Sequence, residues 1–236
     1  MAIRSPRGLC ALAGLAVLAA LGWSYCRVPQ PRLVCAEYSH CQAVVVAKLT
    51  AVREVVNGPD DIDGHLYTLG AHEVLRGKMG PTFQLWEENS SGRASFHWSP
   101  GTEYILFLNY DKRDHAWVLD GCGNSGPLSQ AASVIAATKA AQAATGDALV
   151  AGVVSADSAT NGVPDATIKA IGTAFTAKTD KEGRFQMRLP PGRYRLQAFR
   201  AGWSFTTQDI TYEDPNDLTL PAGSCAQVQF NGHNRK

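Results

Sequence analysis

Arg184-Phe185-Gln186-Met187-Arg188-Leu189-Pro190-Pro191-Gly192-Arg193-Tyr194-Arg195-Leu196-Gln197-Ala198 reads as two β-strands joined by a tight turn. Phe185, Met187 and Leu189 fall on one side of a pleat, and Arg184, Gln186 and Arg188 on the other. Tyr194, Leu196 and Ala198 repeat the pattern against Arg193, Arg195 and Gln197. A period of two with one apolar side is a strand with one face in a core and one in water. The turns Thr179-Asp180-Lys181-Glu182-Gly183 and Pro190-Pro191-Gly192 place glycine where positive φ is cheapest. Working outward, segments 149–154, 166–171, 174–178 and 226–230 complete an antiparallel sandwich of about seven strands.

Upstream lies a second β-rich stretch. Segment 43–56 is rich in valine, with Val45, Ala47 and Leu49 alternating against Lys48 and Thr50. Segments 65–75, 82–86, 103–108 and 116–119 follow, separated by Asn57-Gly58-Pro59-Asp60 and Ser99-Pro100-Gly101, and five strands at this spacing suit a small barrel. Ser125-Gly126-Pro127 then opens an alanine-rich helix over 128–144, with Leu128, Ala131 and Ile135 on one face to dock on the barrel. The fold expected is all-β and two-domain: a small five-stranded barrel with a C-terminal helix over 25–144, a linker at 145–147, and a β-sandwich over 148–236.

The remaining residues, 1–24, read as a signal peptide. Arg4 and Arg7 precede an uncharged apolar run at 9–23, too short for a spanning helix of about 20 residues, and Gly22-Trp23-Ser24 offers a small-x-small cleavage site. The chain is therefore expected to be exported, periplasmic or extracellular, without a stable membrane span once cleaved; the alternative is retention at the membrane by the uncleaved segment. Export makes thiols disulfide candidates. Cys10 leaves with the signal, and Cys26, Cys35, Cys41, Cys122 and Cys225 are odd in number, so one is free or pairs between chains.

Composition excludes several classes of function. A formal net charge of +1 provides no basic field for nucleic acid. The six histidines are scattered without the i, i+4 spacing of a helical zinc motif, and Gly-x-Ser-x-Gly and phosphate loops are absent, so neither catalysis nor a cofactor is expected. Cys35, His40 and Cys41 are a cluster of soft donors that would need a fourth ligand, from His65 or His72, to hold a metal; disulfide and packing roles are the preferred reading. Trp86, Phe96 and Trp98 surround a polar tip from Glu87 to Arg93, giving either barrel core or an exposed aromatic rim for a protein or glycan.

Two resemblances follow from quoted residues. Gly152-Val153-Val154, Gly162-Val163-Pro164-Asp165-Ala166-Thr167-Ile168, Thr179-Asp180-Lys181-Glu182-Gly183-Arg184-Phe185 and Leu189-Pro190-Pro191-Gly192-Arg193-Tyr194 resemble the carboxypeptidase regulatory-like family across 148–232. That resemblance implies a transthyretin-like sandwich without catalytic residues, a stabilising or adhesive module of exported bacterial proteins. Cys26-Arg27-Val28-Pro29-Gln30-Pro31, Ala43-Val44-Val45-Val46-Ala47-Lys48-Leu49, Val74-Leu75-Arg76-Gly77, Gly101-Thr102-Glu103-Tyr104 and Gly121-Cys122 resemble the netrin-like domain of tissue inhibitors of metalloproteinases across 26–144.

The second resemblance implies an OB barrel and a bridge from Cys26 to Cys122, with Cys35 as the other partner for Cys122 and Cys225 left as the unpaired thiol. It also implies that inhibition of a zinc protease needs a cysteine at position one, whose α-amine and carbonyl chelate the metal. Here Tyr25 precedes Cys26, and the paired Cys-x-Cys opening is reduced to Cys26 alone. The function expected is a non-catalytic binding, structural or adhesive role in the bacterial cell envelope, with an unidentified protein or glycan as partner; the alternative is a protease inhibitor of the netrin-like fold.

Overall fold

The computed structural model describes residues 32–58, 61–90, 93–156, 161–207 and 213–235. In chain order they form α1 (Val34–His40), β1 (Ala43–Gly58), β2 (Asp61–Arg76), β3 (Thr82–Glu88), β4 (Glu103–Asp111), β5 (Ala116–Leu119), β6 (Gly126–Pro127), a 3-10 turn (Leu128–Gln130) and α2 (Ala132–Ala143). There follow β7 (Ala148–Ala156), β8 (Thr167–Ala170), β9 (Thr176–Lys178), β10 (Arg184–Leu189), β11 (Gly192–Tyr194), β12 (Leu196–Phe199), β13 (Trp203–Thr207), β14 (Leu218–Leu220) and β15 (Cys225–Asn234). The fold is all-β, with two short helices among the described residues. No helix among the described residues is long and apolar enough to cross a membrane.

β1 closes the barrel because it pairs on both edges. Ala43 to Lys48 lie opposite Leu108 to Glu103 of β4, while the whole strand runs antiparallel to β2. β2 pairs with β3, β3 meets β5 in parallel through Leu85 and Trp117, and β5 returns to β4, so the circuit is β1-β2-β3-β5-β4-β1. This order is that of an OB-type barrel. The valine-rich start of β1 follows from burial on both faces: Val45, Ala47 and Leu49 point into the barrel with Leu69, Leu85, Tyr104 and Leu106, whereas Val44 and Val46 point outward under α1 and α2.

The expected helix over 128–144 splits in two. Leu128–Gln130 is a 3-10 turn, and α2 begins at Ala132 after Ala131, whose backbone is not α-helical. The expected apolar stripe is preserved across the break: Leu128, Ala131 and Ile135 all pack in the layer beneath α1. Helix α1 itself has no counterpart in the expectation from sequence.

Downstream, sheets of order β10-β7-β15-β13, β12-β8-β9 and β11-β14 enclose a core of Val150, Ile168, Phe185, Leu196, Val228 and Phe230. The alternation of β10 is as its sequence dictates, with Phe185, Met187 and Leu189 buried and Arg184, Gln186 and Arg188 exposed. The described residues form nine strands here against the expected seven, the short β11, β13 and β14 among them, and one pairing, β15 with β7, is parallel. Gly183 closes the β9–β10 turn at φ +76°, its neighbour Asp180 accepting hydrogen bonds from the backbone N–H groups of Glu182 and Arg184. Ile168→Val is expected to cost about 1 kcal/mol in urea denaturation, and Arg188→Ala less than about 0.5 kcal/mol. Equal losses would mean that the strand phase is wrong.

The cysteines depart from the expected pattern. Cys35 in α1 is bonded to Cys225 at the start of β15, with Cα atoms 5.4 Å apart, so Cys225 is not the unpaired thiol and Cys35 is not available to Cys122. Among the described residues the free thiol is Cys41, buried and donating to the Tyr38 carbonyl; burial pushes it up to about 12. Cys122 is disulfide-bonded, and Cys26, the other end of the expected pair, lies outside the described residues, as does the signal segment. Connectivity of this kind depends on which chain ends meet in space, which spacing alone does not encode.

Candidate functional site

β3 shows how the expected aromatic cluster is actually distributed. Phe83 and Leu85 point into the barrel, and the strict period of two carries Glu87 inward after them, leaving Trp86 on the outer face. Glu87 is therefore a buried carboxylate at the barrel mouth and not part of a polar tip. Its Oε2 accepts from the Tyr67 hydroxyl at 2.8 Å, and its Oε1 accepts from the Ala94 backbone N–H at 2.8 Å and the Trp98 indole at 3.3 Å. Burial and the Glu87 carboxylate together drive the Tyr67 phenol well above the ordinary tyrosine range, so Tyr67 is a fixed donor.

Around this carboxylate the rings close into one stack. Trp98 lies 4.4 Å from Tyr67 and 4.8 Å from Tyr104, and Phe96 lies 4.9 Å from Trp98. Tyr104 accepts from the Ser99 backbone N–H at 2.7 Å, tying the segment after β3 across the barrel end. Phe96 and Trp98 are thus a lid on the core, and the carboxylate beneath them is satisfied on both oxygens. Such an arrangement positions a loop; it presents no unpaired nucleophile or base to solvent.

Trp86 belongs to a different surface. Its indole lies where a side chain on Gly64 of the paired strand would stand, since a Cβ there would approach Trp86 Cζ2 to 2.7 Å. With Leu66, Val118 and Leu119 it lines an open groove of about 680 Å³ that also carries Asp63, Glu88 and Arg113. Arg113 is held by Asp114 at 3.2 Å. The three expected rim residues therefore do not form one rim.

The cluster Cys35, His40 and Cys41 is likewise separated. Cys35 is spent in the disulfide, Cys41 is buried as a thiol, and His40 Nε2 meets Glu213 Oε1 at 2.9 Å. The hydrogen bond to Glu213 raises the His40 imidazole above its ordinary value. His65 stacks near Tyr67, and His72 bonds Glu103 at 2.6 Å, so neither supplies a fourth ligand. No group of three or more His, Cys, Asp or Glu side chains is placed to hold a metal among the described residues. What reasoning from sequence missed is the surface that α1 makes with β15: Leu33 N–H donates to Gln227 Oε1 at 2.7 Å, and Cys225 N–H donates to Ser39 Oγ at 3.1 Å. The signal for it was the pair of cysteines, whose spacing is silent about their pairing.

Residues 150–229 match the carboxypeptidase regulatory-like domain family. No curated protein matches the chain in sequence. Among solved structures, a chain of a type II cohesin–X-dockerin complex from Acetivibrio cellulolyticus is 19% identical over 35% of this chain and 56% of that one, with a TM-score of 0.26. The Bacillus anthracis TIE protein is 9% identical over 82% of this chain and 31% of that one, with a TM-score of 0.28. GBS52, the minor pilin of Streptococcus agalactiae, is 12% identical over 82% of this chain and 83% of that one, again with a TM-score of 0.28. This chain thus spans about half the length of the first and a third of the second. With TM-scores this low, none of the three bears on what this chain binds.

Proposed function

We propose that the protein is an exported, non-catalytic binding or structural module of the cell envelope, built from a barrel domain at 25–144 and a sandwich domain at 148–236. The observation that carries this reading is the Cys35–Cys225 bridge, because a bridge joining distant parts of a chain is stable in an oxidising compartment and rare in a reducing one. The match of 150–229 to a regulatory-like domain supports the absence of chemistry in the second half. Expression with the native N-terminus followed by fractionation and non-reducing peptide mapping tests it. The expected result is protein outside the cytoplasm with Cys35 linked to Cys225; cytoplasmic, reduced protein would overturn it.

A second reading, inhibition of a zinc protease by a netrin-like domain, is favoured by the closed β1-β2-β3-β5-β4 barrel with α2 packed against its outer layer. Inhibition in that manner requires Cys26 at position one, and signal peptidase would then have to accept Tyr25 at the −1 site reserved for small residues. Tetrahedral zinc ligation at about 2.0 to 2.2 Å leaves no room for an extra tyrosine before the chelating amine. The expected outcome is a mature chain beginning before Cys26 that leaves a zinc protease fully active at micromolar concentration. N-terminal sequencing that begins at Cys26, with nanomolar inhibition abolished by amine acetylation, would promote this second reading.

A further inference from the structure

β12 and β13 are joined by the short turn Arg200-Ala201-Gly202, yet they belong to different sheets. Among the described residues β12 is an edge strand of the three-stranded sheet, its one strand partner β8, and β13 is an edge strand of the four-stranded sheet, its one strand partner β15. Between these edges runs a groove of about 660 Å³. Phe199, 42% exposed, stands on one wall, and Trp203 and Phe205 stack at 6.4 Å on the other. Arg200 and Arg235 both line the groove, the Arg200 guanidinium lying 5.3 Å from the centre of the Trp203 ring.

The charges here are not balanced by the described residues of the chain. Among the described residues neither Arg200 nor Arg235 has an ion pair, whereas Arg113, Arg184 and Arg193 are all paired with carboxylates. Asp165 is the one acidic residue among the described residues of the lining, and it is paired with neither arginine. Two guanidiniums sharing one groove repel unless an anion joins them, and arginine presents its donors in a fork that fits a carboxylate. Beside them the unpaired edge of β13 offers backbone N–H and C=O groups at strand spacing, which an extended polypeptide can match along its length.

We propose that this groove binds an extended acidic peptide segment of a partner protein, which adds as a strand to the free edge of β13. Its carboxylates pair with Arg200 and Arg235, and its alternate apolar side chains cover Phe199 and Trp203. The proposal rests on the binding-module reading and names the kind of partner. An anionic glycan would satisfy the arginines but has no main chain to pair with the strand edge, so the peptide is the occupant that fits both features.

The test uses the full oxidised chain and a fluorescein-labelled decapeptide of five Glu-Val repeats, read by fluorescence anisotropy. The expected result is saturable binding at micromolar concentration, weakened by added salt and absent for a Lys-Val decapeptide. Arg200→Gln combined with Arg235→Gln is expected to weaken binding at least tenfold, and Arg235→Gln alone, at an exposed position, to weaken it measurably; Arg188→Gln on β10, at the opposite edge of the four-stranded sheet, should leave it unchanged. Absence of saturable binding, equal affinity in the double variant, or a preference for an oligogalacturonide over the peptide would overturn the proposal. If an exported, oxidised chain fails to bind the peptide, the groove assignment falls alone, whereas a cytoplasmic, reduced chain removes the binding-module reading beneath it.

Discussion

Replacing both Cys35 and Cys225 by serine is expected to lower the stability of the folded chain by about 5 kcal/mol, the entropy that a bridge closing so long a loop removes from the denatured ensemble. The two cysteines are separated by 190 residues, so almost every described element lies inside the loop. The bridge also holds a surface of modest size. Helix α1 packs on the barrel side through Val34 and Tyr38, and it reaches β15 through the hydrogen bonds of Leu33 and Ser39 and the His40–Glu213 pair. His40 is exposed enough for solvent to screen that pair, so the polar contacts alone hold the surface weakly. Denaturation of the double variant should therefore resolve into two transitions, one for each of the proposed domains, where the oxidised protein shows one. A single transition at an unchanged midpoint would mean that packing, and not the bridge, joins the two halves.

How much of this was legible beforehand depends on which physical rule each element obeys. β10 obeys the simplest: Phe185, Met187 and Leu189 face a core, and a period of two suffices to place them. β1 was legible for its valines, but those valines are buried on two faces by two different layers, and only the barrel closure explains why. α1 was not legible, since seven residues carrying one carboxylate and one cysteine show no helical period. β3 misled for a specific reason. Its inward position after Leu85 is occupied by Glu87, so the apolar pattern appears to end where the strand continues, and Trp86 reads as a partner of Phe96 and Trp98 when it faces the other way. A buried carboxylate is invisible to periodicity because its partners, Tyr67 and Trp98, come from elsewhere in the chain.

A second buried carboxylate sets the response of the fold to pH. Glu37 is 3% exposed in α1, facing the turn after β5. Its Oε2 accepts from the backbone N–H and the side-chain amide of Asn124, both at 2.7 Å, while its Oε1 is buried without a hydrogen-bond partner among the described residues. Burial raises the carboxyl from its ordinary 4.5 to about 7; the Asn124 bonds and the charge of Arg32 pull the other way and do not overcome it, and Asp120 adds to the rise. Because the folded value lies above the unfolded one, the fold favours the protonated acid. Its contribution is complete below pH 4.5 and is lost as the pH climbs through 7, so the chain at pH 8 carries a buried carboxylate at a cost of about 3 kcal/mol relative to pH 4. Glu37→Gln keeps an oxygen for Asn124 and removes the titration. Urea denaturation across this range is therefore expected to show the gap between variant and parent moving by about 3 kcal/mol in favour of the variant on going from pH 4 to pH 8. If the two profiles instead run parallel, Glu37 titrates in the fold at its ordinary value, and a cation close to Oε1 must offset the burial.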